Sequence, residues 1–230
     1  VSSLFRNTLG VNYTLTIIDD GSTNKEFVKT LADKLKNIPV QIFVNETSKG
    51  FGASVNVGIE KTLNKWICVL HSDCVLKKQN WLIELLNTRI QLEKQKVRFV
   101  SSCMNTGGNC AYDETVLKKL EMDYVSDKPL PLVACLFARK LIQDIKGPIK
   151  EYTDSGFENE DLFWRMKLLG FKQAISYKSE VYHNSKSKNY SKSEQNITNN
   201  KNFQFKEQIL GNEKIKEALT IFNDLRRVSK

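Results

Sequence analysis

Along residues 1–139, apolar positions alternate between short β-branched runs and longer stretches with helical spacing. The short runs predict strands at residues 14–18, 40–44, 66–70 and 98–102. Between the strands, apolar residues recur every three or four positions, which predicts helices at residues 24–36, 51–63 and 80–94. Strands that take turns with helices are typical of βαβ units. We therefore predict an α/β fold with a mainly parallel central sheet.

The pattern changes after the fourth predicted strand. Residues 103–127 hold turn-forming residues and one weak helical stretch, which predicts a loop-rich segment. Further along, an acid-rich segment opens a predicted helix at residues 159–169, which Gly170 ends. Strand-like residues follow at 174–177 and 180–183, so the α/β pattern continues to about residue 186.

The last part of the chain is polar and basic. Residues 187–204 are rich in Ser, Asn and Lys, which predicts a polar linker or mobile loop. Residues 205–230 place apolar side chains on one helical face, which predicts a C-terminal amphipathic helix. Such a helix can dock on its own domain, on a partner or on a membrane surface.

The composition excludes several classes of protein. The 230 residues are 40% hydrophobic and 27% charged, and no apolar run is long enough for a transmembrane helix. The sequence contains only 11 glycines and 4 prolines, and this low content argues against collagen-like repeats and wholesale disorder. The 5 cysteines lack the paired spacing of a zinc site, so we expect reduced thiols. The first residues do not form a secretory signal, so we expect a cytoplasmic protein.

The net charge of +9 is concentrated at the end of the chain. From Lys167 onward there are 13 lysines and arginines against 6 acids, whereas the preceding residues are nearly balanced. A basic tail suggests contact with an anionic lipid, polymer or other chain, and a solvated lysine-rich surface is the alternative.

Three acidic clusters stand at positions that could hold a ligand. Asp19 and Asp20 follow the first predicted strand, and Asp73 ends an HSD triplet after the third. The carboxyl ends of strands form the ligand-binding edge of an open α/β sheet. The third cluster, ENED at residues 158–161, opens a helix. Turn formation or helix capping explains each cluster taken alone, so their order along the chain, followed by His183, carries the functional interpretation.

Together these motifs resemble the family 2 glycosyltransferases of the GT-A fold, which transfer sugars from nucleotide donors with inversion at the anomeric carbon. The resemblance runs through LTIIDDGSTN at residues 15–24, the segment at residues 45–76, GFENEDLFWRMKLLGF at residues 156–171 and YHNSK at residues 182–186. It implies a Rossmann-like, nucleotide-sugar-binding GT-A domain over residues 1–186.

The resemblance implies a donor site at the strand ends. Asp19 or Asp20 would contact the uracil or ribose of a UDP-sugar. Asn45, Lys49 and Asn56 lie in the segment that lines the nucleotide pocket of such enzymes, where Lys49 could face the diphosphate.

The HSD triplet stands where the family has its DxD motif. The resemblance therefore implies that Asp73 is a metal ligand, with His71 in place of the first aspartate and His183 as a further ligand. The expected metal is Mn²⁺ or Mg²⁺. Histidine can ligate Mn²⁺, but the loss of one carboxylate changes the donor set.

The ENED segment resembles the catalytic segment of the family. The resemblance implies that Asp161 is the general base for the acceptor hydroxyl, with Glu160 beside it. A neighbouring carboxylate can raise the pKa of such a base toward neutrality. We expect Arg165, one turn later, to pair with an acid.

The sequence departs from the family at its amino end. Family members begin with a buried strand, whereas this sequence starts at what resembles the following helix. We therefore expect the first strand of the pattern to be missing. Either the chain is a fragment, or upstream residues were omitted, or another segment fills the place of the strand. An open place would expose a central strand edge.

The sequence thus predicts a metal-dependent, inverting glycosyltransferase that uses a UDP-sugar. A glycan, glycolipid or protein would be the acceptor, in surface glycan synthesis. The basic tail could contact the inner face of the membrane. Two alternatives stay open: a nucleic-acid-binding protein or DNA-modifying sugar transferase, and a nucleotide-sugar-binding protein without catalysis. The leading hypothesis itself includes no nucleic-acid partner.

Overall fold

The computed structural model describes residues 1–37, 39–104, 119, 121–147, 149 and 158–184. The predicted linker and C-terminal helix, and most of the predicted loop-rich segment, lie outside these residues. The described helices are α1 (Ser2–Asn7), α2 (Lys25–Leu35), α3 (Phe51–Glu60), α4 (Trp81–Gln91), α5 (Arg139–Asp144) and α6 (Glu158–Leu168). The described strands are β1 (Leu15–Asp19), β2 (Val40–Val44), β3 (Trp66–Leu70), β4 (Cys74–Leu76), β5 (Val97–Met104), β6 (Tyr124–Ser126), β7 (Ala134–Ala138) and β8 (Lys172–His183).

The predicted strands and helices of the first hundred residues are confirmed, with small shifts at their ends. The segments predicted as two strands after residue 174 form one strand, β8, which pairs with β5 across an irregular register. A strand with such an irregularity bends locally, which is why its sequence looked like two short strands.

The strands form two sheets. β1 and β2 pair in parallel. The larger sheet has the order β3–β7–β5–β8–β4, with β6 beside β8. Within it β5 and β8 are parallel, whereas the other described pairs are antiparallel. The sheet is therefore mixed rather than mainly parallel, because β4, β6 and β7, which the sequence did not predict, all enter as antiparallel strands.

Apolar side chains pack on both faces of the larger sheet. On one face Phe99 and Phe137 stack with ring centroids 6.1 Å apart, next to the buried side of α3. On the other face the cluster contains Trp81 and Leu85 of α4. The indole N–H of Trp81 donates to Thr8 Oγ1 at 2.9 Å, which ties α4 to the end of α1.

β1 and β3 each have an edge without a strand neighbour in the described residues. β1 pairs with β2, and β3 pairs with β7. A cleft of about 1620 Å³ is lined by both strands and by α1, α3 and α4.

Two further sequence predictions can be compared with the described residues. The cysteines among them, Cys68, Cys74, Cys103 and Cys135, are free thiols, as predicted. No described helix combines the length and apolar character needed to cross a bilayer.

Candidate active site

The cleft between β1 and β3 is polar at one end. That end is lined by Asp19 and Asp20, which close β1, by Ser48, and by His71 and Ser72, which follow β3. The two acidic clusters that follow strands in the sequence thus lie at one edge of the fold, as the strand-end argument predicts.

The three predicted metal ligands converge at this edge. The ligand atoms of His71, Asp73 and His183 all lie within 4.8 Å of one another. His71 Nδ1 is 2.5 Å and His183 Nε2 is 3.0 Å from Asp73 Oδ1. Their side chains are 16–22% exposed, so the cluster is open to solvent on one side.

Backbone hydrogen bonds hold the cluster in place. Cys74 pairs with His183 in the antiparallel β4–β8 ladder, which brings His183 from a distant part of the sequence to the HSD turn. Asn184 N–H donates to the carbonyl of Asp73 at 3.0 Å. His71 N–H donates to the carbonyl of Val133 at 2.7 Å. The backbone on both sides of the triplet is therefore fixed before any ligand binds.

Two histidines and one aspartate form a ligand set that divalent transition metals accept. Two imidazoles and one carboxylate suit Mn²⁺ better than Mg²⁺, which prefers oxygen ligands and keeps bound water. The open side of the cluster leaves room for further ligands such as phosphate oxygens. The geometry therefore retains three residues that could hold a metal ion, although His71 stands where the family motif has an acid.

Asp20 organises the loop that covers the polar end of the cleft. Its Oδ1 accepts hydrogen bonds from Asn45 Nδ2 at 2.8 Å and from Lys49 N–H at 2.9 Å. Its Oδ2 accepts from Ser48 Oγ at 2.8 Å and from Gly50 N–H at 2.9 Å. Partial burial would raise the pKa of Asp20, but these four hydrogen bonds outweigh it and lower the pKa to about 2.

The turn after β1 packs closely against this loop. The carboxylate of Asp19 accepts hydrogen bonds from the N–H and the hydroxyl of Ser22. Gly21 has a φ of +76°, and a Cβ there would lie 2.6 Å from the backbone nitrogen of Ser48. Only glycine allows both this backbone conformation and this close approach.

The predicted donor-site residues therefore differ in their surroundings. The carboxylates of Asp19 and Asp20 are engaged by neighbouring protein groups. The side chain of Lys49 is exposed, and its neighbours Ser48 and Gly50 line the cleft. Asn56 is buried in α3, where its amide donates to the carbonyl of Ile149 at 2.7 Å and accepts from its N–H at 3.0 Å. A structural role accounts for Asn56 without any contact with a nucleotide.

Asp161, the predicted base, lies inside the protein. Its side chain is 4% exposed, and Oδ2 is 2.5 Å from Nη2 of Arg165. Arg165 also donates to the carbonyls of Ile145 and Gly147. The expected pairing of Arg165 with an acid is confirmed, and it joins the first turn of α6 to the end of α5. Glu160, the other predicted catalytic acid, is partly exposed.

Two residues near the cluster were not identified from the sequence. Asn159 Oδ1 accepts a hydrogen bond from Leu132 N–H at 2.9 Å. Leu132 precedes Val133, whose carbonyl accepts the hydrogen bond from His71 N–H. The ring of Phe51 packs 5.4 Å from that of His71. Asn159 carried a weak signal as part of the ENED motif, whereas nothing in the sequence pattern placed Phe51 beside a histidine.

The sequence is similar to known glycosyltransferases. The family model described as Glycosyl transferase family 2 matches residues 1–97. An uncharacterized glycosyltransferase of Haemophilus influenzae (strain ATCC 51907 / DSM 11121 / KW20 / Rd) is 28% identical over 149 residues, which cover 64% of this chain. The same residues cover 58% of that relative, so the chain spans less than two thirds of its length.

Solved structures share the fold. GalNAc-T7, crystallised with UDP, GalNAc and Mn²⁺, matches with a TM-score of 0.56 and 20% identity over 73% of this chain and 37% of its own. The mannosyltransferase PcManGT from Pyrobaculum calidifontis, in complex with GDP-Man and Mn²⁺, matches with a TM-score of 0.57 and 13% identity over 76% of this chain and 48% of its own. The predicted GT-A fold is thereby confirmed.

Proposed function

We propose that this chain, a member of glycosyl transferase family 2 by the match over residues 1–97, transfers a sugar from a nucleotide sugar to an acceptor hydroxyl. The observation that carries the proposal is the convergence of His71, Asp73 and His183 beside the loop held by Asp20. Three potential metal ligands and an organised loop at the polar end of one cleft would suit the binding of a nucleoside diphosphate.

The nucleotide of the donor is proposed to bind at the polar end of the cleft. UDP is the proposed nucleotide, by the resemblance of the DDGS segment to family members that bind it. Asp20 holds the loop in place, so its proposed role is to position the loop residues that line the pocket. The exposed ammonium group of Lys49 then supplies a positive charge for the diphosphate.

His71, Asp73 and His183 are proposed to hold Mn²⁺. Such an ion neutralises the charge that grows on a departing nucleoside diphosphate. The backbone hydrogen bonds to Asp73 and His71 keep the ligand atoms in place, so little reorganisation is needed when the ion binds.

The first turn of α6 is proposed to supply the general base that inversion requires. Asp161 is buried against Arg165, an arrangement that favours a positioning role. Glu160 is the more exposed of the two predicted acids and is the proposed base for the acceptor hydroxyl. Transfer of the proton from the acceptor hydroxyl to Glu160 would make the hydroxyl oxygen a nucleophile toward the anomeric carbon of the donor.

The acceptor is proposed to be a glycan, glycolipid or protein in surface glycan synthesis, and the chain is proposed to act in the cytoplasm. Contact of the basic tail with the inner face of the membrane is a further part of this proposal. The tail lies outside the described residues, so these points rest on the sequence alone.

A donor screen tests the proposed activity. The full chain is incubated with Mn²⁺ and a panel of UDP-, GDP- and CDP-sugars, and release of the nucleotide is measured with and without acceptor glycans. We expect release from one or more UDP-sugars and its loss in Asp73→Ala. The anomeric configuration of the product, read by NMR, then tests inversion. A folded chain that releases no nucleotide from any donor contradicts the proposed activity.

A further inference from the structure

We propose that Phe51 is a positioning residue that links the Asp20 loop, residues 45–50, to the proposed metal ligand His71. An ordered loop would then strengthen metal binding, and a bound metal would favour the ordered loop. This role rests on the proposed function, because it concerns the proposed metal site. It extends that function by coupling two parts of the polar end of the cleft.

The first observation is that Phe51 directly follows the last hydrogen bond between the loop and Asp20. The N–H of Gly50 donates to Asp20 Oδ2 at 2.9 Å, and Phe51 is the next residue and the first of α3. The carbonyl of Gly50 accepts the hydrogen bond from Ser54 N–H at 3.1 Å. No spacer residue separates the loop from the helix, so a movement of the loop at Gly50 would also move Phe51.

The second observation is that the ring of Phe51 lies between the apolar core and His71. Phe51 is partly buried and packs against the core cluster next to α3. Its ring centroid is 5.4 Å from that of the imidazole, and the two ring planes are tilted by 50°. Aromatic rings interact at centroid distances of about 4.5–7 Å. Phe51 therefore forms one wall for the imidazole of His71.

The third observation is that the other described contacts of the imidazole are with the predicted metal ligands. Nδ1 of His71 is 2.5 Å from Asp73 Oδ1, and the ring meets that of His183 edge-on at 5.7 Å. A bound ion would take these same groups as ligands, so their mutual contacts cannot hold the imidazole in the loaded site. Phe51 carries no ligand atom, and its contact with the imidazole can persist when the ion binds.

The backbone of His71 is already fixed, which leaves rotation of its side chain to be restricted. Its N–H donates to the carbonyl of Val133 at 2.7 Å, and its side chain is 22% exposed. A metal ligand binds best when packing holds its rotamer before the ion arrives. The packing of Phe51 on the imidazole is suited to this task.

These contacts form one continuous connection from the carboxylate of Asp20 through Gly50 and Phe51 to His71. When the loop is ordered, the imidazole has less freedom to lose on binding the ion. Coupling of this kind is reciprocal, because each partner changes the affinity of the other by the same factor. A nucleotide that orders the loop would therefore also strengthen the hold of the protein on its metal.

A double-mutant cycle on Mn²⁺ binding tests the coupling. The electron paramagnetic resonance signal of free Mn²⁺ gives the affinity without any nucleotide, and the binding that Asp73→Ala removes defines the site. The cycle uses the full chain, Phe51→Leu, Asp20→Asn and the chain with both substitutions. Leucine keeps an apolar side chain against the core cluster and removes the ring beside His71.

Two further variants are matched controls. Phe171 packs against the same core cluster, at the opposite end of β8 from His183. Phe171→Leu should lower the melting temperature as much as Phe51→Leu does and leave Mn²⁺ affinity within about twofold. Phe51→Tyr keeps the ring and should likewise leave the affinity within about twofold. Thermal melts establish that each variant is folded.

We expect Phe51→Leu to weaken Mn²⁺ binding by about fivefold or more. Asp20→Asn should weaken it by about threefold in the unaltered chain and by less than about 1.5-fold in the Phe51→Leu chain. Asp20→Asn also removes a negative charge. An effect of that charge through space would be the same in both chains, so the cycle separates it from coupling through Phe51.

Three results overturn the role of Phe51 while leaving the metal site intact. They are an affinity within about twofold in Phe51→Leu, an equal loss in Phe171→Leu, and an effect of Asp20→Asn that is absent or equal in both chains. Failure of the folded, unaltered chain to bind Mn²⁺ at the site defined by Asp73 would overturn the proposed metal site and this role together. The two failures are therefore distinguishable.

Discussion

The carboxylate of Asp20 accepts a hydrogen bond from the backbone N–H of Lys49 at 2.9 Å, across a separation of 29 positions in the sequence. Together with the bonds from Asn45, Ser48 and Gly50, it fixes the loop that covers the polar end of the cleft. The carboxylate that the resemblance placed at the donor is thus bound by the protein itself. We therefore propose that Asp20 acts on the donor by holding this loop in place.

Replacing Asp20 should therefore disorganise the pocket. Asp20→Asn puts an amide NH₂ group against donors that need an acceptor, so we expect UDP affinity to fall about tenfold or more. Calorimetric titration of UDP with Mn²⁺ measures this loss. Asp33→Asn, an exposed acid on α2, is the matched control and should bind UDP like the unaltered chain. Equal affinity in Asp20→Asn would contradict the positioning role.

The same carboxylate makes stability depend on pH. Its pKa of about 2 in the folded chain lies below the value of about 3.9 expected when unfolded. Its contribution is therefore fully present above about pH 4 and is lost as the pH falls toward 2. Thermal melts should show that the difference in stability between the unaltered chain and Asp20→Asn shrinks from pH 5 to pH 2.5. A difference that stays constant over this range would contradict the low pKa.

The histidine in the HSD triplet should set the metal preference. His71→Asp restores a second carboxylate, so we expect the ratio of Mg²⁺ to Mn²⁺ affinity to rise about tenfold. Competition between the two metals, followed by the electron paramagnetic resonance signal of free Mn²⁺, gives this ratio. Asp73→Ala is the control that should abolish binding of both metals. An unchanged ratio in His71→Asp would mean that His71 is not a ligand.

The pair of Asp161 and Arg165 should stabilise the fold. Because the carboxylate is 4% exposed, removing it leaves a charged partner in a partly buried place, and we expect Asp161→Asn to lose about 3 kcal/mol of unfolding free energy. Arg165→Met should lose a similar amount. Denaturant melts give both values.

Transfer activity should distinguish the roles of Glu160 and Asp161 in the first turn of α6. Once a donor is known, Glu160→Gln should lose transfer by about a hundredfold or more while keeping its stability, as expected of a base. Asp161→Asn should keep transfer per folded molecule within a few-fold. The reverse result would return the role of base to Asp161.

Asn56 should behave as a structural residue. Its amide satisfies both backbone groups of Ile149, so Asn56→Ala should cost about 2 kcal/mol of unfolding free energy. UDP affinity of the folded variant should change less than threefold in the same titration used for Asp20→Asn. A stable variant with weak UDP binding would instead support the direct nucleotide contact that the resemblance implied.

Local patterns predicted much of the fold, and long-range contacts account for the rest. β1, β2 and β3 are short apolar runs between helical stretches, and their positions were predicted closely. β4 and β6 have three residues each, too few for a periodic signal, and their antiparallel pairing with β8 makes the sheet mixed. β7 (Ala134–Ala138) is as long as β1, β2 and β3, but it contains no β-branched residue and four of its five residues are buried. Its apolar run therefore does not distinguish a strand from a buried helical segment.

The candidate site, like the fold, was only partly predictable from the sequence. The family resemblance implied His71, Asp73 and His183 as metal ligands, and the structure brings these residues together through the β4–β8 ladder. Burial was not readable from the sequence. The partner of Asn56 is 93 positions away, and the pairing of Asp161 with Arg165 follows from helical spacing while its removal from solvent does not.

Titration of UDP into the full chain, with and without Mn²⁺, tests the central claim most directly. The claim is that His71, Asp73 and His183 hold a metal that completes a nucleoside diphosphate site at the polar end of the cleft. We predict binding at one site with Mn²⁺, at least tenfold weaker binding without it, and no effect of Mn²⁺ in Asp73→Ala. A folded chain that binds no UDP, or that binds it equally well in all three conditions, would contradict the claim.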